Sequence, residues 1–346
     1  MTAGEPDALG FEHRPVMVAE VTDLFGPVPA GPVVDATIGG GGHARSILEA
    51  HPHLQVVGLD RDADALAAAA ASLHDFAGRV ELRRARFDRM RAICGELGHE
   101  RVSGVLFDLG VSSPQLDRPR RGFSYRGEGP LDMRMDQDQS VTADDIVNGY
   151  SEERLAAVLS ELGEERFARR IARAVVGARP LATTTELADV VRQAIPAAAR
   201  RRGGHPAKRS FQAIRIEVNG ELAMLAGAID EAIDLLAPEG RAVVLAYHSG
   251  EDRIVKARFA DAATGGCTCP PRLPCVCGAR PRVHHLRRGR RPGAAEIAVN
   301  RRAESARLRA VEKLSDTEKL SDTEKLGDTE KLGDTEKLGD TEAEVA

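Results

Sequence analysis

The stretch 108–117, Asp-Leu-Gly-Val-Ser-Ser-Pro-Gln-Leu-Asp, offers a carboxylate (Asp108), two hydroxyls (Ser112, Ser113) and an amide (Gln115) immediately after an apolar run. Acceptors of this kind, with no His/Lys pair for proton relay beside them, suit orienting an amine or hydroxyl better than hydride transfer. A second stretch, 33–43, reads Val-Val-Asp-Ala-Thr-Ile-Gly-Gly-Gly-Gly-His and opens into an apolar helical pattern. A strand that ends in glycines and restarts as a helix aims bare backbone N–H groups at a ligand. The spacing Gly39-x-Gly41-x-x-Ala44 matches the dinucleotide fingerprint only loosely. Asp60, 19 positions after Gly41, is placed to accept both hydroxyls of an adenosine ribose. That geometry serves a dinucleotide and S-adenosylmethionine equally well. Asp35 can reach a cofactor ammonium or anchor the glycine loop, and Phe87 can cover an adenine face or pack into the core.

These residues need a sheet to hold them. Residues 33–38, 55–60, 80–85 and 104–109 read as short buried strands, alternating with helical segments at 63–73 and 88–97. Such alternation predicts an α/β, Rossmann-like fold with a largely parallel sheet, binding ligands at the strands' carboxyl ends. From 142 to about 195 the signals are all helical: 152–162, 164–176 and 187–195, the last behind a capping box at Thr183–Glu186. The organisation expected is a disordered start (1–12), a sheet domain from 13–115 and 216–311, an inserted helical subdomain at 116–215, and a disordered tail at 312–346. Within the second sheet segment, one long helix over 219–236, a strand over 241–247, a helix over 251–259 and a last strand over 295–299 are predicted. His248 and Glu251 read equally as site residues or as the cap of that helix.

The formal net charge of −5 conceals an uneven distribution. The tail from 312 to 346 carries 12 acidic and 5 basic residues, so the body alone comes to about +2. That tail repeats Glu-Lys-Leu-Ser/Gly-Asp-Thr with a period of six, which builds no apolar helical stripe. Residues 272–309 hold 11 arginines against Glu296 and Glu304, and a smaller basic run spans 200–209. Clustered arginine points to a phosphate-rich partner. With 42% hydrophobic but only 3% aromatic residues and no Trp, the core must be aliphatic. There is no basic-then-apolar leader and no run of about 18 apolar residues, so the cytoplasm is expected and a membrane is not a partner. Five cysteines do not make a secreted disulfide framework. Four of them, Cys267-x-Cys269-x5-Cys275-x-Cys277, are tighter than the usual zinc spacing and leave metal binding undecided, whereas Cys94 reads as core.

Taken together, the ordered motifs resemble the bacterial MraW/RsmH methyltransferases. They are His13-x-Pro15-Val16-Met17, Gly40-Gly41-Gly42-His43, 58–62, 108–117, 121–124, 129–135, 211–219, 248–253 and 300–309. The resemblance implies a Rossmann-like methyltransferase that uses S-adenosylmethionine. Its implied substrate is N4 of a cytosine in 16S ribosomal RNA at the decoding centre of the small subunit. It carries cofactor contacts onto Gly41, Gly42, His43, Asp60, Phe87, Asp108 and Gln115. Departures are small: Ile38 and Gly40 within the glycine loop, Ala44 where Ser is common, and Arg302-Ala303-Glu304 where a more basic triplet is usual.

Cytosine's exocyclic amine is a poor nucleophile because its lone pair is delocalised into the ring. Acceptors must therefore turn it while the sulfonium carbon is held in line. Asp108 is the first candidate, with Ser112, Ser113 and Asp132 behind it. A nucleotide-dependent dehydrogenase is the competing enzyme reading, disfavoured by the polar loop at 108–117. A non-catalytic RNA-binding protein is the third, disfavoured by intact Gly41, Asp60, Asp108 and Gln115. The sequence is silent on oligomeric state and allows a homodimer.

Overall fold

In a computed structural model of the chain, residues 15–200, 204–270 and 276–315 are described, with Ser113 by its backbone only. The expectations for 1–12, His13, Arg201, Arg202, Arg272, Cys275 and the tail from 316 onward lie outside these residues. Seven strands, β1 (Gly31–Asp35), β2 (Leu54–Asp60), β3 (Val80–Arg84), β4 (Val102–Asp108), β5 (Leu236–Ala246), β6 (Val283–Arg290) and β7 (Arg307–Lys313), form one sheet. Its order is β3-β2-β1-β4-β5-β7-β6. The first five strands are parallel and β7 runs antiparallel to both β5 and β6. Strand order reverses between β1 and β4, and ligands of doubly wound sheets bind at such a switch point, beyond the strands' carboxyl ends.

Helices α1 (Val18–Leu24), α2 (Gly42–Ala50), α3 (Ala63–Ser72), α4 (Met90–Glu96) and α5 (Ser113–Asp117) accompany the first half of the sheet. A helical body follows: α6 (Ala143–Gly149), α7 (Glu152–Glu161), α8 (Ala168–Gly177), α9 (Thr184–Ala194), α10 (Ala197–Arg200) and α11 (Lys208–Asn219). Helices α12 (Glu221–Leu235), α13 (Ser249–Thr264) and α14 (Ala294–Val299) return to the sheet. The pleat sends Val34, Val105, Phe107 and Val244 to one face, against Ile229 and Ile233 of α12 and Phe259 of α13. Their neighbours Val33, Leu106, Val243 and Leu245 face the other way, against Val21 and Phe25. The helical body closes over its own apolar core, from Phe123 to Val218. Among the described residues no helix is long and apolar enough to cross a membrane.

Three local expectations are corrected. Residues 295–299, predicted as the last strand, are helical, because a short apolar run has no period that separates helix from strand. The sheet positions go instead to β6 and β7, inside the arginine-rich segment. There Leu308 and Ala310 pack to one face while Arg288 and Arg290 stay outside on the edge strand. The helix predicted over 219–236 is α12, and it starts two residues late because Gly220 takes φ 61° and ends α11 at Asn219. Glu312 and Lys313, predicted to open the disordered tail, complete β7 instead, and the Glu312 carboxylate holds Arg241 at 2.6 Å.

Candidate active site

The glycine loop sits where β1 ends. Gly39 and Gly41 take φ of 51° and 81°, conformations that need no Cβ. A Cβ on Gly42 would lie 2.4 Å from the Pro15 ring, so the segment before α1 closes one wall of the loop. Gly40 has open space where a Cβ would be. Asp35 is buried, receives the Thr37 N–H at 3.3 Å and so anchors the loop. Burial pushes its pKa up to about 8, with Asp108 and Asp60 adding to the rise.

Asp60 closes β2. One carboxylate oxygen accepts the Gly39 N–H at 3.0 Å and the other the Asp62 N–H at 2.9 Å. Each oxygen keeps a second lone pair, and the residue is only half-buried, so two hydroxyl donors can still be met. Desolvation raises its pKa to about 6 against the pull of those two N–H groups. This rim of glycine N–H groups, open space at Gly40 and a ribose-competent carboxylate fits an adenosine-bearing cofactor. Phe87, in the turn after β3, packs half-buried against the sheet core with its ring edge-on to Phe107, centroids 5.8 Å apart.

Asp108 ends β4 next to this loop, and its backbone N–H donates to the Thr37 hydroxyl at 2.7 Å. The Tyr247 hydroxyl donates to Asp108 Oδ1 at 2.6 Å, and His43 Nδ1 stands 3.5 Å from Oδ2. The other nitrogen of His43, Nε2, is 2.9 Å from the Val16 carbonyl, which can only accept, so Nε2 carries the hydrogen. On a neutral ring, Nδ1 then presents a lone pair to Asp108. The carboxylate is fixed through Oδ1 by Tyr247, with Oδ2 left facing His43, and is 25% exposed, whereas His43 is 5% exposed. Tyr247 is pushed well above the usual phenol range by burial and by Asp108, and therefore remains a donor.

The other predicted residues are placed differently. Gln115 is buried, with its Oε1 accepting the Ser112 N–H at 3.0 Å and its Nε2 donating to Asp62 at 2.9 Å. Ser112 thus heads α5, and Ser113 opens it. Asp132 accepts from Arg134 through both oxygens at 2.9 Å. Burial works to raise the Asp132 pKa, but the Arg134 hydrogen bonds outweigh it and hold the carboxyl low. Glu251 takes the Tyr247 and His248 N–H groups at 2.8 and 3.2 Å, so His248 and Glu251 cap α13. In doing so they fix the backbone of Tyr247.

Sequence reasoning missed Tyr247, Thr37 and the Asp62–Arg121 pair. The signal for Tyr247 is a phenol at the carboxyl end of β5, whose residue Leu245 registers with Asp108. Asp62 Oδ2 accepts from both Gln115 and Arg121, the latter at 2.8 Å with its side chain 3% exposed. No local pattern reveals that pair.

The family model described as the MraW methylase family matches residues 10–314 of the chain. The ribosomal RNA small subunit methyltransferase H of Salinispora tropica is 52% identical over 318 residues, covering 88% of this chain and 85% of that protein. The protein of the same name from Frankia casuarinae is 56% identical over 287 residues, covering 81% and 89%. That of Heliobacterium mobile is 49% identical over 311 residues, covering 88% and 99%. With a match across nearly all of the sheet and the helical body, the chain belongs to the MraW methylase family and is a methyltransferase.

Proposed function

We propose that the chain methylates N4 of a cytosine in 16S rRNA at the decoding centre of the small ribosomal subunit, with S-adenosylmethionine as donor. The observation that carries this reading is Asp108: a partly exposed carboxylate at the end of β4, held by Tyr247 and faced by His43 beside the glycine loop. The names of the relatives support a small-subunit rRNA substrate. The donor supplies an electrophilic methyl on a sulfonium. Gly41, Gly42 and Asp60 are the residues that hold it, with Phe87 at the adenine side. His43 and Gln115, whose side chains are engaged within the protein, shape the cradle from behind.

Asp108 accepts an N–H of the exocyclic amine and turns its lone pair out of conjugation. Transfer of the methyl to N4, with the sulfonium S–CH3 bond broken and a neutral thioether leaving, would make the amine nitrogen cationic and strongly acidic, and the Asp108 carboxylate would take its proton. A proton on Oδ2 then lies toward the His43 Nδ1 lone pair, while Tyr247 continues to donate to Oδ1. Ser112 and Asp132 act through position: one heads α5, and the other fixes Arg134 in the helical body. The helical body, 116–215 in the sequence and continuous in α11 to the break at Gly220, holds the backbone flanking a base taken out of its stack. Tyr125 stacked on His205 at 4.3 Å, with Arg126 over the Tyr125 ring, supplies an aromatic and cationic face there.

Mass mapping of small-subunit rRNA from cells with and without the gene tests the assignment. One N4-methylcytosine is expected to vanish in the deletion and return with the wild-type gene. An unchanged map of modified cytosines would overturn it.

A further inference from the structure

The cysteine cluster lies where α13 hands over to β6, away from Asp108. Gly265 and Gly266 take φ of 64° and 74° and turn the chain back on the helix, with the Cys267 N–H donating to the Thr264 carbonyl. A Cβ on Gly265 would lie 2.3–2.5 Å from the Arg280 backbone, so the two arms of this loop are in direct contact at its base. The Arg282 N–H donates to the Ala262 carbonyl at 2.9 Å and closes that base. Gly278, at φ 69°, turns the returning arm beside Cys277. The result is convergence of three thiols: the Sγ atoms of Cys267, Cys269 and Cys277 all lie within 4.8 Å of one another. Cys267 and Cys277 are 3.6 Å apart.

We propose that Cys267, Cys269 and Cys277 bind one zinc ion as thiolates, a structural site that fastens the end of α13 to the strand entering β6. Zinc–thiolate bonds of about 2.3 Å on a tetrahedral ion put sulfurs roughly 3.8 Å apart. The Cys267–Cys277 distance of 3.6 Å is close to that and far from the roughly 2.05 Å of an S–S bond. Three soft thiolates select zinc over magnesium or calcium, which prefer oxygen. Cys-x-Cys spacing fits because the two glycines before it bend the chain, which lets ligands one residue apart reach a common point. Cys275 lies outside the described residues and is not counted in the site. The site is structural rather than catalytic: its ligands are thiols on a surface loop, and no residue given a role in methyl transfer belongs to it. Its consequence is a fixed entry into β6, the edge strand that carries Arg287, Arg288 and Arg290.

The test is the metal content of the full chain, purified under reducing, chelator-free conditions and read by elemental mass spectrometry beside intact mass. About one zinc per chain is expected, falling to roughly none in the Cys267→Ser/Cys277→Ser double variant. Cys94→Ser serves as the control and keeps its zinc, since Cys94 is buried in the sheet core. Cobalt(II) exchanged into the wild-type chain should give thiolate-to-metal charge-transfer absorption, a readout that stands even if the double variant fails to fold. Wild-type chain that neither carries zinc nor takes up zinc or cobalt overturns the proposal. So does a Cys267–Cys277 disulfide in the reduced preparation, or zinc retained in full by the double variant.

Discussion

Two bodies meet at the candidate site, and they are joined by a different chemistry from the one that holds each together. The sheet and the helical body each close over apolar side chains, Val105, Phe107 and Ile229 in one and Ile146, Leu187 and Ile214 in the other. Between them run polar contacts, several of them buried. Asp62, which caps α3 beside the cofactor rim, takes Arg121 and Gln115. Asn219, at the end of α11, gives its carbonyl to Arg61 and clamps the backbone at Met133 and Met135 with its amide. Apolar burial is strong but indifferent to direction, whereas hydrogen bonds to charged groups fix an orientation. The seam thus sets how the helical body faces the glycine loop, and the cores set whether the two bodies exist.

That contrast can be broken at the seam. Arg121→Met leaves the Asp62 carboxylate buried without its cation and should cost about 3–5 kcal/mol in denaturant unfolding. It should also weaken donor binding, because the Asp62 N–H donates to the Asp60 carboxylate at 2.9 Å. Leu187→Ala, wholly inside the helical core, should cost about 2–5 kcal/mol yet leave donor affinity unchanged by calorimetry. Equal effects of the two variants on donor affinity would erase the distinction between seam and core. Asn219→Ala removes a buried amide that makes three hydrogen bonds and should cost about 1–3 kcal/mol. Its methylation defect should exceed what its lost stability explains.

A pH dependence belongs to the rim's buried carboxyl, Asp35. Asp35 holds its proton up to about pH 8 when folded but only to 3.8 when unfolded, so the native state binds the extra proton between those values. Its contribution to stability is therefore present at low pH and lost as pH rises through that window. The slope is at most about 1.4 kcal/mol per pH unit. Asp35→Asn cannot titrate, and its unfolding midpoint should be flatter across the window. A parallel curve for wild type and variant would remove Asp35 from the account.

How much of this was legible in sequence follows the range of each interaction. The parallel strands announce themselves as apolar runs because both sheet faces are covered, and the glycine loop because its backbone needs φ values other residues avoid. The edge pair β6–β7 is hidden, since an edge strand carries arginine where a central strand carries valine. Residues 295–299 misled for the converse reason, being apolar without being in the sheet. Asp108 and Asp60 were visible as carboxylates at strand ends. Their partners were not: Tyr247 lies 139 residues from Asp108 and Arg121 lies 59 from Asp62, and only the folded sheet brings them together.

The central claim is that Asp108 accepts from the substrate amine and takes its proton. Single-turnover methyl transfer by Asp108→Asn, with donor affinity measured on the same sample, tests it most directly. The account predicts a rate lower by about 10²–10⁴, the usual contribution of a positioned base, with donor affinity within a few-fold of wild type. Methylation at the wild-type rate with donor affinity intact would contradict it.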